Sequence, residues 1–533
     1  MSSTTMSNAF DMALKKTLND EVSVTENGAV GFKTSGSKLL DINFAVSSLR
    51  SMSDSAVAAK FSDAFYENPL LAIKWMFMLR DIRGTGMGER RSFRICLNWL
   101  ANTKPEVAKK LIKLVGEYGR YDDLFTLFGT PAETEMLDYI DNLWSDDIAN
   151  MNAGKSVSLL AKWMPSVNTS SAATVALARK FCTALNLSEK QYRKSLSKLR
   201  AYLKVIEVKM SAKQWNEIDY EAVPSKANIK YNSAFLRNDE TRRRAFLGAL
   251  EKGEAKINAS ANFPCDIVHS YCAKTGGWYG RHNITADPAL EAMWKALPNY
   301  VKNQETGSTI VVADGSGSMT SRVSMNTSMS ALEVANSLAI YFAEKLTGPY
   351  KDKYITFSER PQYVDFTKAQ SLAEKINIAL RYNECANTNV EAVFDLVLET
   401  AKRFQLKQEE IPSNILIVSD MEFDCGTSWR GCSRYGYSGN YSATKNALFE
   451  SIKQKFIDAG YKLPRLVYWN VCSRTGTIPL QENENGVALV SGFSPAIANM
   501  VFSAKLDPYE VLVDALNVPR YQPVTDAVAD LVA

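Results

Sequence analysis

Histidine is nearly absent from this chain: 533 residues hold two, His269 and His282. They stand too far apart in sequence to form HExxH, and neither GxxxxGK[ST] nor GxSxG occurs. His282 falls in a Gly-rich stretch, Gly276–His282, and a lone histidine there reads as a hydrogen-bonded structural residue. No enzyme activity is expected. The eight cysteines are scattered without a CxxC; the nearest pairs are Cys265 with Cys272 and Cys425 with Cys432. They read as reduced thiols of a reducing compartment. No apolar run approaches the length that spans a bilayer. Met1–Phe10 lacks a basic stretch followed by an apolar one, which argues against secretion. A cytoplasmic protein without a membrane segment is the expectation.

What is present is a globular composition, 46% hydrophobic and 10% aromatic, in a chain too long for one core. Its net charge of +4 conceals an asymmetry. Residues 151–250 hold 18 Lys and Arg against 7 Asp and Glu, whereas residues 101–150 hold 5 against 10. A basic block inside a near-neutral chain is the electrostatic footprint of a polyanion partner.

Periodicity divides the chain into an N-terminal extension over 1–44, a helical part over 45–300 and an α/β part over 301–533. Helices are read at 69–79, 89–100, 105–118, 134–149, 156–163, 173–185, 189–212, 240–252 and 287–297. Short helices with short loops suggest stacked pairs, as in α-solenoids. Beyond 305, strands at 308–313, 353–358, 362–366, 414–419, 465–471 and 486–491 alternate with helices, which implies a doubly wound, mostly parallel sheet. Cys425–Asn440 reads as a long loop on the carboxyl edge of that sheet.

The densest signal is Ser308–Ser318, whose core Asp314, Ser316, Ser318 has the form D-x-S-x-S behind the β-branched Ile310, Val311 and Val312. A carboxylate and two hydroxyls leaving the end of a strand can point at one centre. Hard oxygen donors of that kind suit Mg²⁺, with Mn²⁺ or Ca²⁺ as the other candidates. Thr388, just before an amphipathic helix, and Asp420, ending the apolar run Ile415–Asp420, complete the set. This constellation resembles the metal-ion-dependent adhesion site of von Willebrand factor A (vWA) domains. The resemblance implies that Ser316, Ser318 and Thr388 bind through hydroxyls, and Asp314 and Asp420 directly or through water. Such a site accepts a carboxylate from an acidic protein partner.

Further stretches extend the likeness: Leu79–Arg90, Glu117–Leu124, Ser158–Pro165, Tyr192–Leu196, Val223–Ser225, Tyr468–Asn470 and Val490–Pro495. Together they resemble the TROVE-plus-vWA family to which the Ro autoantigen belongs, and most closely a sister family of unknown function in plants, bacteria and phages. The fold so implied is a HEAT-like helical ring or horseshoe joined to a Rossmann-like vWA domain. The function implied is binding of small non-coding RNA, single-stranded ends in the hole and structured RNA on the basic outer face, by a monomer. A virion-associated assembly or adhesion protein that uses only the metal site is the alternative, with a virion location if the source is a phage.

The residues support RNA binding on their own. Between Lys190 and Met210 the apolar stripe Tyr192, Leu196, Leu199, Leu203, Ile206 and Met210 reads as one buried face. Lys190, Arg193, Lys194 and Lys204 project from roughly the opposite side, with Glu207 the sole acid in that span. Arg237, Arg242, Arg243 and Arg244 form a second cluster near a helix start, where cations oppose the macrodipole and an anion would help. Arg83 and Arg90 flank the glycine loop 84–88, which reads either as a tight interhelical corner or as a third RNA contact.

Overall fold

A computed structural model of the chain describes residues 22–24, 30–276, 283–302, 306–357, 361–382, 390–422, 447–474, 478, 487–503, 505 and 507–532. Two compact units emerge, and neither is one continuous stretch. The first takes residues 1–52, 263–286 and 299–515; the second takes 53–262, 287–298 and 516–533. Three segments cross the single division near residue 300 that periodicity suggests. Residues 1–52 and 263–286 join the α/β unit, and residues 516–533 return to the helical unit.

The α/β unit opens with a short antiparallel pair, β1 (Val22–Val24) and β2 (Val30–Phe32). Its core is a six-stranded sheet of β3 (Thr309–Asp314), β4 (Lys353–Phe357), β5 (Gln362–Asp365), β6 (Asn414–Ser419), β7 (Arg465–Asn470) and β8 (Ala488–Ser491). The order is β5-β4-β3-β6-β7-β8, parallel throughout except for the β4–β5 edge. β3 is buried at every position, as expected of a parallel strand covered on both faces. Ile310, Val312, Ile415 and Ile417 face the helices Val390–Phe404 and Ala447–Asp458 in one core. On the opposite side Trp469 meets Phe342 of the helix Ala331–Lys345, ring centroids 5.3 Å apart. That helix is buried over almost its whole length and starts in a capping box of Ser330 and Glu333.

Glu333 is held from outside its own helix. Nδ1 of His269, on Pro264–Cys272, lies 3.1 Å from Glu333 Oε1, and its Nε2 lies 3.2 Å from Ser328 Oγ. The hydrogen bond to Glu333 raises the His269 pKa above 6.5, against a smaller effect of burial. A raised folded pKa means that this contact stabilises fully below about pH 6.5 and loses its contribution as pH rises through the folded value. His269→Gln is therefore expected to flatten the decline in melting temperature between pH 6 and pH 8, read by differential scanning calorimetry. A parallel profile in the variant would remove His269 from that role.

In the helical unit neighbours in sequence are mostly neighbours in space. Asp54–Glu67, Pro69–Arg80, Arg91–Thr103, Pro105–Tyr118 and Glu133–Asn152 pack in succession. Pro69 and Pro105 sit in the first turns of their helices, where a missing N–H costs nothing. The C-terminal helix Gln522–Val532 packs on Pro69–Arg80 and Pro105–Tyr118. Ahead of it, Tyr521 stacks on Tyr118 at 5.8 Å, and Arg520 bonds the buried Asp81 and Glu117. The stretch 189–212 is not one helix. Glu189–Tyr202 ends, Lys204 takes a left-handed φ of 52°, and Ile206–Ser211 follows. The apolar stripe persists across the break because both pieces turn the same side inward, with Tyr192, Leu196, Leu199 and Ile206 buried.

Candidate functional site

The order β5-β4-β3-β6-β7-β8 reverses direction between β3 and β6. That is the topological switch point, where open α/β sheets leave a crevice beyond their carboxyl ends. Asp314 ends β3 and Asp420 follows β6, so register alone brings the two carboxylates to this point; Ala313 pairs with Val418. Both are buried. Ser316 N–H donates to Asp314 Oδ1 at 2.8 Å, and the Ser419 hydroxyl donates to Asp314 Oδ2 at 2.5 Å. The Ser316 and Ser318 hydroxyls lie 3.0 Å apart. Met421, with φ at 63°, turns the chain sharply after Asp420, and Glu422 N–H closes back on Asp420 Oδ1 at 3.2 Å.

Burial, and secondly the Asp314 charge, push the Asp420 carboxyl up to about 7, although the Ser318 hydroxyl and Glu422 N–H donate to it. Arg474 reaches Asp420 Oδ2 only at 3.8 Å. Two buried carboxylates side by side are the arrangement a divalent cation relieves. The hydroxyl spacing also fits: adjacent oxygens of an octahedron with bonds near 2.1 Å lie about 3.0 Å apart. Asp314, Ser316, Ser318 and Asp420 thus suit a small hard cation. Thr388, the fifth residue read from sequence, lies outside the described residues, as do Cys425–Asn440 and His282. Among the described residues no group of three or more His, Cys, Asp and Glu is placed to hold a metal by itself.

Sequence reasoning missed a support for this edge. Glu422 is fully buried and accepts from Arg474 N at 2.8 Å and Ser473 Oγ at 3.3 Å. Ser473 and its neighbour Cys472 donate their N–H groups to Asn470 Oδ1, which also takes the Ser47 hydroxyl. The Ser48 hydroxyl bonds Ser473 O at 2.6 Å. Residues 44–51 therefore brace the loop after β7, which in turn fixes Glu422. No local signal announces a bond across more than four hundred residues.

The basic candidates separate into two groups. Lys190, Arg193 and Lys194 are exposed on Glu189–Tyr202, with Lys198 beside them, and among the described residues no carboxylate pairs with any of the four. Lys204 and Arg237 are exposed as well. The cluster at 242–244 behaves differently. Arg243 is not a surface residue: it is fully buried among the Tyr220, Phe235 and Phe246 rings and bonded to the Asn228 and Asn232 amides. Burial lowers its pKa to about 10, and no phosphate can reach it. Arg242 bonds the carbonyls of Trp215 and Ile218 and the Asp239 carboxylate, and Arg244 pairs with Glu240 one turn away. The glycine loop is a tight corner, in which Asp81 Oδ1 accepts from Arg83 N and Gly84 N. A Cβ on Gly86 would stand 2.3 Å from Met78 O. Arg83 and Arg90 remain exposed beside it.

Comparison with known proteins divides the chain once, between residues 306 and 308. Residues 25–119 and 139–306 match the model of a domain of unknown function, DUF2828. Residues 308–513 match that of another, DUF7788. Over 541 residues the chain is 30% identical to Uncharacterized protein L728 of Acanthamoeba polyphaga mimivirus, covering 94% of this chain and 88% of that one. The chain belongs to the L728 family. The crystal structure of Deinococcus radiodurans RO (RSR) protein is similar at a TM-score of 0.38 and 13% identity, over 81% of this chain and 90% of that one. A likeness that faint carries nothing further. In this L728 relative the DUF7788 match spans the switch-point cluster, and the DUF2828 match spans the exposed basic helix. Among the described residues no helix is long and apolar enough to cross a membrane.

Proposed function

We propose that this protein binds RNA through exposed basic faces of its helical unit and docks an acidic protein partner through a divalent metal at the β3–β6 switch point. The observation that carries the RNA reading is the face of Glu189–Tyr202, where Lys190, Arg193, Lys194 and Lys198 stand exposed and unpaired among the described residues. An ordinary solvated helix mixes signs on its outer face; this one carries a single acid, Glu189, which pairs with Arg179. Lys and Arg sets of this kind contact phosphates without reading bases. The vWA reading of the other unit draws support from the doubly wound order and from D-x-S-x-S at the switch point.

Asp314, Ser316, Ser318 and Asp420 would hold the cation, with Thr388 as the remaining ligand that the resemblance implies. Mg²⁺ held there would supply a hard Lewis-acidic centre able to accept a partner's carboxylate. The protein's own groups supply the frame: Ser419 and Ser316 N–H fix Asp314, and Glu422 fixes the turn after Asp420. The activity proposed is binding, not catalysis, in a cytoplasmic protein or a virion component.

Charge reversal tests the RNA reading. The triple variant Lys190→Glu, Lys194→Glu, Lys204→Glu is expected to bind structured RNA more weakly, with little change in sequence preference. Its log–log salt dependence should become shallower by about 0.7–0.9 for each phosphate that is no longer neutralised. Filter binding across a salt series measures both quantities. Equal affinity and equal slope in the variant exclude this face. Purified protein that carries no nucleic acid and retains no RNA would favour the assembly reading instead.

A further inference from the structure

Three of the stretches singled out in the sequence, Leu79–Arg90, Glu117–Leu124 and Ser158–Pro165, meet in the helical unit around a group of arginines. Arg94 Nε bonds Asp123 Oδ1 at 2.7 Å, and its Nη2 lies 3.0 Å from Asp122 Oδ2. Arg80 Nε bonds Asp123 Oδ2 at 2.8 Å. Arg120 holds Asp122 with both prongs of its fork, Nε to Oδ1 at 2.8 Å and Nη2 to Oδ2, and its guanidinium lies on the Trp163 ring, 3.6 Å from the centroid. Lys162 Nζ is 5.4 Å from the same ring. Arg90 is exposed and makes no ion pair with a carboxylate among the described residues. Partial desolvation, then the Arg120 and Arg94 charges, lower its pKa.

The layering of charge matters more than the count. The carboxylates lie inside: Asp123 is fully buried, Glu89 is buried, and the Asp122 side chain is 17% exposed. Three guanidinia lie outside, with Arg90 exposed and the Arg94 and Arg120 side chains 28% and 27% exposed, whereas Arg80 is buried beside Asp123. Even with Glu89 counted, four guanidinia, Arg80 included, face three carboxylates. A purely structural ion-pair network tends towards balance. Asp122 and Asp123 fill one edge of the Arg94 and Arg120 forks, and the one guanidinium left over, Arg90, faces solvent beside the Arg120 plane that the Trp163 ring holds flat.

We propose that Arg90, Arg94 and Arg120, with Trp163 behind Arg120, form a binding site for a phosphate ester. Guanidinium forks match phosphate oxygens two at a time, and a half-buried setting strengthens each charge-assisted bond. The phosphate comes either from an RNA backbone or from a free nucleotide. The inference rests on the RNA reading for that source alone.

Three probes test it: inorganic phosphate, adenosine monophosphate and a single-stranded oligouridylate, each against the full-length protein at fixed ionic strength. Arg90→Gln is the main variant, because Arg90 is exposed and makes no carboxylate pair whose loss would unfold the chain. Arg120→Lys keeps the charge but removes the fork and the stack, and circular dichroism checks that both variants fold. Inorganic phosphate is expected to raise the melting temperature of the wild type above that in chloride, and to lose this effect in Arg90→Gln. Oligouridylate affinity should fall about tenfold in each variant, as expected when one charge-assisted hydrogen bond is removed. Phosphate and adenosine monophosphate should compete with the oligonucleotide for the site. If Arg90→Gln abolishes the phosphate effect but leaves oligouridylate affinity unchanged, the phosphate-ester site stands and its source is a free nucleotide. If neither phosphate nor oligouridylate distinguishes Arg90→Gln from the wild type, or if none of the probes binds the wild type, the site is overturned.

Discussion

Asp123→Ala is expected to destabilise the helical unit by about 3–5 kcal/mol, the cost of breaking a buried ion pair by removing one partner. Asp123 is fully buried and accepts three bonds: Arg80 Nε at 2.8 Å, Arg94 Nε at 2.7 Å and Arg120 N at 3.0 Å. Arg80 is almost as buried, so truncation leaves a guanidinium with neither water nor counter-charge. The backbone is built around this pair. A Cβ at Gly119 would stand 2.7 Å from Asp123 Oδ2 and 2.8 Å from Arg80 Nε. Asp123→Asn keeps an acceptor and removes only the charge, so its effect should be smaller. Urea unfolding, with hydrogen exchange of the Pro69–Arg80 amides as a local probe, measures both. A destabilisation under 1 kcal/mol in the alanine variant would show that Arg80 finds another partner or escapes to water.

That network also shows what the sequence could and could not convey. Pro at the first turn marks Pro69–Arg80 and Pro105–Tyr118 because proline both permits and fixes a helix start. β3 and β6 are legible because a buried parallel strand must be apolar on both faces, so its end at Asp314 or Ser419 is abrupt. Lys204 gave no warning of the break after Tyr202, since a lysine in a left-handed conformation carries no glycine signal. Arg243 looks like its neighbours in sequence; Tyr220, Phe235 and Phe246, from other segments, decide that it is buried. The brace from Ser47 and Ser48 to Asn470 and Ser473, and the return of residues 516–533 to the helical unit, are tertiary contacts with no local periodicity. Asp314, Ser316, Ser318 and Asp420 could be read because strand ends and spacing are local. Glu422 could not, because its place depends on a loop held from elsewhere.

The second large effect concerns the metal. Asp314→Asn is expected to abolish stabilisation by millimolar Mg²⁺ while leaving the metal-free protein as stable as the wild type, or more so. An amide at 314 can still accept from Ser316 N and meet the Ser419 hydroxyl, so the local bonds survive. What disappears is one of two adjacent buried charges. Asp420 has a folded pKa raised from 3.8 to about 7, by burial first and by Asp314 second. An acid raised on folding contributes a stability that is complete below its unfolded value and is lost as pH rises towards the folded one. The metal-free wild type therefore carries its full penalty above about pH 7, and neutralising position 314 should relieve part of it. A cation relieves the same penalty by binding only the folded state, by about 2.7 kcal/mol at a hundredfold excess over Kd. Thermal melts at pH 7.5, with Mg²⁺ and with EDTA, separate these outcomes. A wild type whose melting temperature is the same in both buffers has no metal at this edge. A variant that still responds to Mg²⁺ binds it elsewhere. One that loses the response only because it is less stable in EDTA assigns Asp314 a structural role and not a ligating one.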